Sequence, residues 1–291
     1  MLAGIDLGGT QVRLAVARTD GRITGSARTR TSAVGGPAGM AEWVASELDR
    51  LRGRARVRRI AIGAPGPLDA ERGVLVNPAN LPGWEDAPLA ALVSRATGVP
   101  TLLQHDAKVA ALAEYHQGAG RGARALVYIT WSTGIGGGVI IEGRLFSGAH
   151  GTAGELGHMI VDPDGPLDGC GQRGCLEVFA GGAQLARQTG EPASDLFQAA
   201  EAGNVEALAV VKRAATYMGI GLVNVTNLYD PDVIVMGGGI SKSWKLVGTL
   251  LAAALQGSPF IVAARRPALR RARLGDRVGL VGAVEWARAN L

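Results

Sequence analysis

The sequence predicts an α/β protein made of two similar halves, and three observations support this prediction. The chain opens with a strand, a glycine-rich loop over residues 4–10 and a second strand. The same unit returns near the middle of the chain, where the loop spans residues 133–138. Helical patterns and buried strands follow both units, as in α/β folds. We therefore expect two half-molecules that face a cleft, each contributing one phosphate loop.

The first half begins with three strands. Val12, Leu14 and Val16 alternate along the second of them, and an Asp20-Gly21 turn leads to the third. The predicted elements are strands over residues 2–6, 12–17 and 23–29, a helix over 40–51, a strand over 57–62, a helix over 89–96 and a strand over 101–104. A carboxylate, Asp106, then opens a helix at a strand end, which is an active-site position in α/β folds.

The second half repeats the theme without a Pro-rich or Ser-rich linker. Its predicted elements are strands over residues 125–130 and 139–142, a helix over 205–227, a strand over 233–236, a third glycine loop over 237–239, a helix over 243–255 and a final helix over 282–290. A glycine loop thus follows a strand at three places in the chain.

Composition favours a globular protein. Of the 291 residues, 47% are hydrophobic and 19% are charged, and no apolar run is long enough to span a bilayer. The chain begins in a strand with no charged signal-type segment, so we expect a cytoplasmic protein with no membrane partner.

The distribution of positive charge argues against a nucleic-acid-binding protein, and the cysteine spacing argues against a secreted disulfide-bonded protein. The net charge is +5, but the basic runs at residues 52–59 and 265–273 are typical of solvated faces, so we expect no nucleic-acid partner. Cys170 and Cys175 lie five positions apart in a glycine-rich stretch. This spacing suits a metal site or reduced thiols better than a secreted disulfide framework.

The chemistry around the glycine loops favours phosphate binding over a simple turn, although a glycine cluster between strands is a turn at least as often. Asp6 can coordinate a metal, and the Thr10 and Thr133 hydroxyls can reach phosphate. Neither loop ends in the Gly-Lys-Ser/Thr of a Walker A sequence, and the first is followed by a strand rather than the helix of a dinucleotide fingerprint. The first loop therefore predicts a hairpin clamp.

With these pieces placed, the chain resembles the ROK family of sugar kinases and related repressors over essentially its whole length. The matching segments are residues 4–13, 63–67, 80–84, 105–107, 133–138, 155–158, 170–177 and 237–239. The resemblance implies the two-domain actin-like ATPase (ribonuclease H-like) fold, with nucleotide and sugar bound in the interdomain cleft. It places a small domain at residues 1–105 plus 278–291 and a large domain at residues 106–277.

The resemblance implies an ATP-dependent hexose kinase that transfers the γ-phosphoryl group to the sugar 6-hydroxyl, with glucose as the first expected substrate. Asp106 would be the catalytic base, although an Asp at a helix start is also a common N-cap. Nucleotide and Mg²⁺ would be held by Asp6, Gly8, Gly9, Thr10, Thr133, Gly134, Gly136, Gly238 and Gly239.

The same resemblance assigns the sugar site to Gly66, Asn80, His105, Asp106, Glu155, His158 and Glu177. Asn80 is open to a second interpretation as a turn residue, and Glu177 as an exposed helix residue. The family usually has Asn where this chain has His105, and imidazole presents its donor and acceptor on separate nitrogens. Mannose, fructose or an N-acetylhexosamine therefore stay open as substrates, as does polyphosphate as donor.

A structural zinc site is also implied by the resemblance, and it departs from the family pattern. The family uses one His and three Cys, whereas here the set would be His158, Asp168, Cys170 and Cys175. A carboxylate is an acceptable zinc ligand, but it replaces a soft thiolate and should weaken zinc preference. The alternative is a reduced, metal-free loop.

Two hypotheses from another class compete with the kinase. A sugar-responsive regulator would carry a helix-turn-helix module ahead of the sugar domain, and because Met1 leads straight into the first strand we expect none. A catalytically inactive sugar sensor is suggested by His105 and Asp168, while Asp6, Thr10, Thr133 and Asp106 argue against it. Homodimers or tetramers are common in the family, so we expect a homo-oligomer.

Overall fold

The computed structural model describes residues 1–291, which form two compact units. The first unit contains Met1–His116, Ala149–Gly151 and Asp276–Leu291, and the second contains Gln117–Gly148 and Thr152–Gly275. Each unit has its own hydrophobic core around a five-stranded sheet. The predicted α/β class with two similar halves is therefore confirmed.

The elements alternate between strands and helices along the chain. Up to residue 117 they are β1 (Leu2–Leu7), β2 (Gln11–Ala17), β3 (Ile23–Arg30), α1 (Pro37–Arg52), β4 (Arg59–Ala64), β5 (Leu68–Asp69), β6 (Val74–Leu75), α2 (Leu89–Thr97), β7 (Thr101–His105) and α3 (Asp106–Gln117). After residue 117 they are β8 (Ala125–Trp131), β9 (Ile135–Ile141), β10 (Arg144–Leu145), α4 (Leu176–Ala180), α5 (Gly182–Thr189), α6 (Ala193–Glu201), α7 (Val205–Tyr229), β11 (Val233–Gly237), α8 (Trp244–Gly257), β12 (Ala268–Arg271) and α9 (Val278–Ala289).

The two sheets share one topology. The first has the strand order β3-β2-β1-β4-β7 and the second β10-β9-β8-β11-β12. In each sheet the first three strands pair antiparallel and the next two pairings are parallel. Because the tight hairpin joins equivalent strands in both sheets, each glycine turn lies at the same place in its unit.

The second glycine segment differs from the predicted loop. Strand β9 begins at Ile135, so Gly136, Gly137 and Gly138 pair with β8 and only residues 132–134 form the turn. Strand glycines permit close approach of other backbone. A Cβ on Gly137 would lie 2.6 Å from the Gly154 carbonyl oxygen, which explains why glycine is needed inside this strand.

The boundary between the units also differs from the prediction at residue 105. Helix α3 belongs to the first unit up to His116, as does the short segment Ala149–Gly151. The reason is close packing: a Cβ on Gly63 of β4 would lie 2.8 Å from Val109 of α3, and a Cβ on Gly282 of α9 would collide with the Val109 carbonyl oxygen. The Lys108 ammonium, which is buried, donates to the Gly151 carbonyl and attaches that segment.

Helix α9 completes the first unit by packing on β1, β2 and β4. Gly4 of β1 allows this contact because a Cβ there would lie 2.7 Å from the Val284 nitrogen. None of the helices combines the length and the apolar character needed to cross a bilayer.

We expect Gly282→Ala to destabilise the first unit, because the new methyl group would meet the backbone of α3. Overpacking of this kind costs about 1–3 kcal/mol, seen as a lower midpoint of thermal unfolding. Gly257→Ala in α8 is the matched control, because a Cβ there meets nothing within 4 Å and alanine is the better helix former. Equal midpoints for the two variants would contradict this account of the packing.

Candidate active site

The first glycine turn joins β1 to β2 and is fastened by hydrogen bonds on both sides. The Gly8 N–H donates to the Gln11 carbonyl at 2.9 Å, and the Thr31 hydroxyl donates to the Gly8 carbonyl at 2.6 Å. The Thr31 N–H donates to the carbonyl of Thr10 at 3.0 Å. Gly9 packs against Asn80, whose carbonyl oxygen would lie 2.8 Å from a Cβ at residue 9. The turn predicted to clamp phosphate is therefore rigid and adjoins Asn80.

Asp6 is a partly buried carboxylate just before this turn. Its pKa is raised from 3.8 to about 6, first because burial disfavours the charged form and also because Asp106 repels it, while Arg13 acts in the opposite direction. The Arg13 guanidinium lies 3.7 Å away. A Cβ on Gly279 would lie 2.5 Å from Asp6 Oδ1, so the start of α9 packs directly on the carboxylate. A buried carboxylate with incomplete charge compensation is a good cation ligand.

Asp106 opens α3 at the end of β7, and its neighbour His105 is the last residue of that strand. Asp106 Oδ1 accepts a hydrogen bond from the Ala107 N–H at 2.6 Å and lies 2.9 Å from His105 Nδ1. The Asp106 side chain is half exposed, so it is open to a substrate. Gly66 adjoins the His105 ring, because a Cβ there would lie 2.8 Å from Nε2.

The second glycine turn is held by hydrogen bonds to helices α4 and α5 of its own unit. The Ser132 N–H donates to the Gly134 carbonyl at 2.9 Å, and the Ala183 N–H at the start of α5 donates to the Thr133 carbonyl at 2.8 Å. The Ile135 N–H donates to Glu177 Oε2 at 2.6 Å. Glu177, which the family resemblance assigns to sugar binding, therefore also fixes this turn.

A cavity of about 580 Å³ lies in the second unit beside this turn. It brings together the predicted residues Thr133 and Gly239 with residues that sequence reasoning missed. Those missed lining residues are Ser132, Gly182, Ala183, Ala186, Ala193, Ser194, Phe197, Gln198, Glu201, Ile240, Lys242 and Ser243. One sequence feature could have indicated part of this lining, because Gly181-Gly182 follows a short apolar segment and marks the start of a helix. Gly238 has a φ of +83°, and a Cβ there would collide with the Trp131 carbonyl, so glycine is required beside the cavity.

Four predicted metal ligands meet in the second unit: His158, Asp168, Cys170 and Cys175 have donor atoms within 4.8 Å of one another. The two Sγ atoms are 3.6 Å apart, and His158 Nδ1 lies 3.1 Å from Asp168 Oδ2. Ligands at zinc bonding distances around a tetrahedral centre lie about 3.3–3.8 Å apart. The four donors are close enough together to share one metal ion, which is compatible with a zinc site.

Cys175 keeps its proton when no cation is bound. Burial raises the pKa of Cys175 to about 12, aided by hydrogen bonding to Cys170 and Asp168. Burial alone would raise the pKa of Asp168, but hydrogen bonds from Cys170, the Gly169 backbone and Cys175 hold it below its usual value. A metal that binds here would thus displace the Cys175 proton.

The remaining predicted residues divide between the units. The first unit carries Asp6, Gly8, Gly9, Thr10, Gly66, Asn80, His105 and Asp106, and the second carries Thr133, Gly134, Gly136, Glu155, His158, Glu177, Gly238 and Gly239. Glu155 and His158 flank the buried residues Leu156 and Gly157 in a short 3₁₀ turn, which fixes their backbone. Their sugar contacts remain predictions.

The model of the ROK family matches residues 2–290. The chain belongs to the ROK family. A ROK hexokinase from Thermus thermophilus is 38% identical, with a TM-score of 0.87 over 99% of this chain and 98% of that one. A ROK glucokinase from Streptomyces griseus, solved with glucose and AMPPNP, is 32% identical, with a TM-score of 0.79 over 99% of both chains.

Relatives in the ROK family also include other kinases. An N-acetylmannosamine kinase from Yersinia pseudotuberculosis is 34% identical over 99% of this chain and 98% of its own length. The fold of this ROK protein is the two-domain actin-like ATPase fold, as its doubled sheet topology and these structures show.

We expect the stability of this ROK protein to depend on the charge of Asp6. Because the pKa is raised in the folded state, the folded protein binds more protons than the unfolded one between pH 4 and 6. Without bound cation, the free energy of unfolding attributable to Asp6 should therefore be about 1–3 kcal/mol larger at pH 4.5 than at pH 7.5.

Denaturant unfolding of the wild type and Asp6→Asn at both pH values measures this contribution. The variant should lose that part of the pH dependence and be the more stable protein at pH 7.5. Asp20→Asn, on an exposed turn, is the control and should keep the wild-type pH dependence. An unchanged pH dependence in Asp6→Asn would show that the carboxylate is not electrostatically strained.

Proposed function

We propose that this ROK protein is an ATP-dependent hexose kinase that transfers the γ-phosphoryl group to the 6-hydroxyl of a hexose, with glucose as the first substrate. The observation that carries the proposal is the half-exposed carboxylate of Asp106, fixed at the opening of α3 and electrostatically coupled to Asp6. Glucose and a nucleotide analogue bound to the glucokinase of Streptomyces griseus support the substrate class.

In this proposal Asp106 accepts the proton of the attacking sugar hydroxyl. Phosphoryl transfer needs positioning and charge stabilisation more than covalent chemistry. Backbone N–H groups of the two glycine turns and the Thr10 and Thr133 hydroxyls would hold phosphate oxygens. Asp6 would hold Mg²⁺, which supplies charge neutralisation on the phosphates when bound.

The cavity beside the second turn is our candidate for the nucleoside. Its volume of about 580 Å³ is in the usual range for a small-molecule site, and its walls mix apolar and polar groups. Phe197, Ile240 and the small residues of α5 offer apolar surface for a base, while Lys242 and Ser243 offer donors. Gly239 lines this cavity, and Gly238 precedes it as the N-cap of a short 3₁₀ helix.

The sugar would be recognised by Gly66, Asn80, His105, Glu155, His158 and Glu177, each carried over from the family resemblance. Glu177 uses Oε2 to hold the Ile135 N–H, so Oε1 is the oxygen left for a hydroxyl. The similarity to an N-acetylmannosamine kinase favours N-acetylhexosamine as the second candidate substrate. Polyphosphate stays open as an alternative donor. We also propose a cytoplasmic location and a homodimer or tetramer.

Zinc would be held by His158 Nδ1, Asp168 and the two cysteine thiolates, and its chemistry would be structural. This assignment leaves His158 Nε2 for a sugar hydroxyl, because the ring's other nitrogen faces the cluster. Removing the ion would free the ring and affect activity through orientation alone.

We expect Asp106→Asn to lower kcat by about 10² or more, because an amide cannot accept the hydroxyl proton. A coupled assay across glucose, mannose, fructose and N-acetylmannosamine, with ATP and then polyphosphate, measures this and tests the function itself. Asp20→Asn is the matched control in the same unit. Near-normal turnover in Asp106→Asn would remove the residue from the mechanism, and no phosphorylation of any sugar by the wild type would sink the kinase proposal.

We expect purified protein to contain about one zinc per chain, and Asp168→Cys to retain zinc at chelator concentrations that strip the wild type. A thiolate is the softer ligand, so the gain in zinc affinity should be tenfold or more. Metal analysis of chelator-treated wild type, Asp168→Cys and Asp168→Ala makes the measurement, with the exposed neighbour Asp164→Ala as control. Equal zinc retention in all four proteins would exclude Asp168 as a ligand.

A further inference from the structure

We infer that Arg13 is a tethered counter-ion of Asp6: it weakens the binding of a free divalent cation to this carboxylate and so favours a cation that arrives with the nucleotide phosphates. The part that concerns the nucleotide rests on the proposed kinase function. Arg13 is not among the predicted site residues, and the inference gives it control over the form in which the cation binds.

The position of Arg13 follows from the strand register of the first sheet. Asp6 of β1 lies directly opposite Arg13 of β2, and Arg13 in turn lies opposite Arg28 of β3. Opposed residues of antiparallel strands project from the same face of the sheet, with Cβ atoms about 4.5–5.5 Å apart. One acidic and two basic side chains therefore leave the sheet in a single row, and Arg13 is the basic residue next to Asp6.

A backbone acceptor fixes the Arg13 guanidinium. Its Nη1 donates to the carbonyl oxygen of Asp276, two residues before α9 begins. The same nitrogen lies 3.7 Å from Asp6 Oδ2. Charged hydrogen bonds between nitrogen and oxygen are about 2.7–2.9 Å long, so Arg13 attracts the carboxylate without a hydrogen bond to it. The guanidinium is therefore held beside Asp6 by a group other than Asp6.

Asp6 has no other positive neighbour in the structure. Its pKa is raised by burial; Arg13 opposes the rise and Asp106 adds to it, and no hydrogen bond contributes to the shift. The side chain keeps 21% of its surface exposed, so a cation can reach the carboxylate. The charge balance at this position therefore depends on Arg13.

A free cation and a metal–nucleotide complex respond to Arg13 in different ways. A divalent cation on Asp6 would share the carboxylate with the guanidinium, and the two positive groups would repel each other. Mg²⁺ is commonly held by one or two carboxylates together with substrate phosphates. Because the phosphates bring more negative charge than the cation brings positive charge, the guanidinium opposes the free ion and not the complex.

Mn²⁺, a paramagnetic substitute for Mg²⁺, measures the cation affinity without turnover. In the absence of nucleotide, we expect Arg13→Met to bind Mn²⁺ at least fivefold more tightly than the wild type in an electron paramagnetic resonance titration. Adding Asp6→Asn should abolish the gain, which assigns the ion to this carboxylate rather than to the cysteine cluster. Arg28→Met removes an exposed charge one strand further away, and its Mn²⁺ affinity should stay within about twofold of the wild type.

Two further variants separate the charge of Arg13 from its hydrogen bond. Arg13→Lys keeps the charge and should keep the weak Mn²⁺ binding, whereas Arg13→Gln keeps a donor for the Asp276 carbonyl and should bind Mn²⁺ as tightly as Arg13→Met. Unfolding midpoints verify that the variants are folded. Equal Mn²⁺ affinity in the wild type and both neutral variants, including undetectable binding in all three, would overturn the inference. So would a gain that survives Asp6→Asn, or wild-type affinity in Arg13→Gln alone.

The nucleotide part of the inference has its own measurement. By calorimetry, the dissociation constant of the Mg²⁺ complex of AMPPNP should be no lower in Arg13→Met than in the wild type, because the guanidinium does not repel an anionic complex. A fivefold gain for both the free ion and the complex would overturn this part. A wild type that phosphorylates no sugar, with the Mn²⁺ gain intact, would refute only the proposed kinase.

Discussion

Backbone contact at glycines is the constraint on which the first unit depends. Gly4 and Gly63 lie on neighbouring strands, and each brings a helix so close that a Cβ would lie under 3 Å from its atoms. Helix α9 meets Gly4 and α3 meets Gly63. Asp6 lies near the end of one of these strands and Asp106 begins one of these helices, so the spacing of the two carboxylates is set by packing rather than by the loops around them.

The two candidate centres share an electrostatic character, because in each of them burial disfavours the charged form of an acidic group. At Asp6 the result is a raised pKa despite the nearby Arg13. At the cysteine cluster the result is a thiol, Cys175, that keeps its proton far above neutral pH. A bound cation would offset the unfavourable charge at both centres.

The sequence predicts the elements whose pattern is long or repeated. The β1–β2 hairpin and the 25-residue helix α7 are found close to their predicted limits, because alternation and helical spacing are strong local signals. Helices α4, α5 and α6, which have five to nine residues each, were not predicted. Gly136–Gly138 looked like a loop because the partner that makes glycine useful in a strand, the backbone at Gly154, is distant in sequence.

Site residues, too, could be predicted only where the signal lies in residue type and local spacing. Asp6, Asp106 and the four-residue metal set could be proposed from residue type and spacing, together with the family resemblance. The wall of the large cavity, including Phe197 and Lys242, could not, because those residues come from separate helices that only the tertiary fold brings together. The hydrogen bond from the Ile135 N–H to Glu177 was hidden for the same reason, since 42 positions separate the partners.

The position of α9 has a consequence for how the protein is made. Leu2, Ala61 and Val284 belong to small apolar clusters that α9 closes against the first sheet, although 277 residues of chain precede that helix. A ribosome therefore releases the strands of the first unit long before their cover is synthesised, whereas the second unit can complete its sheet from one nearly continuous stretch. The nascent chain must keep an apolar sheet face protected until its last helix emerges. The part of the chain that is synthesised first is therefore the last to complete its folding.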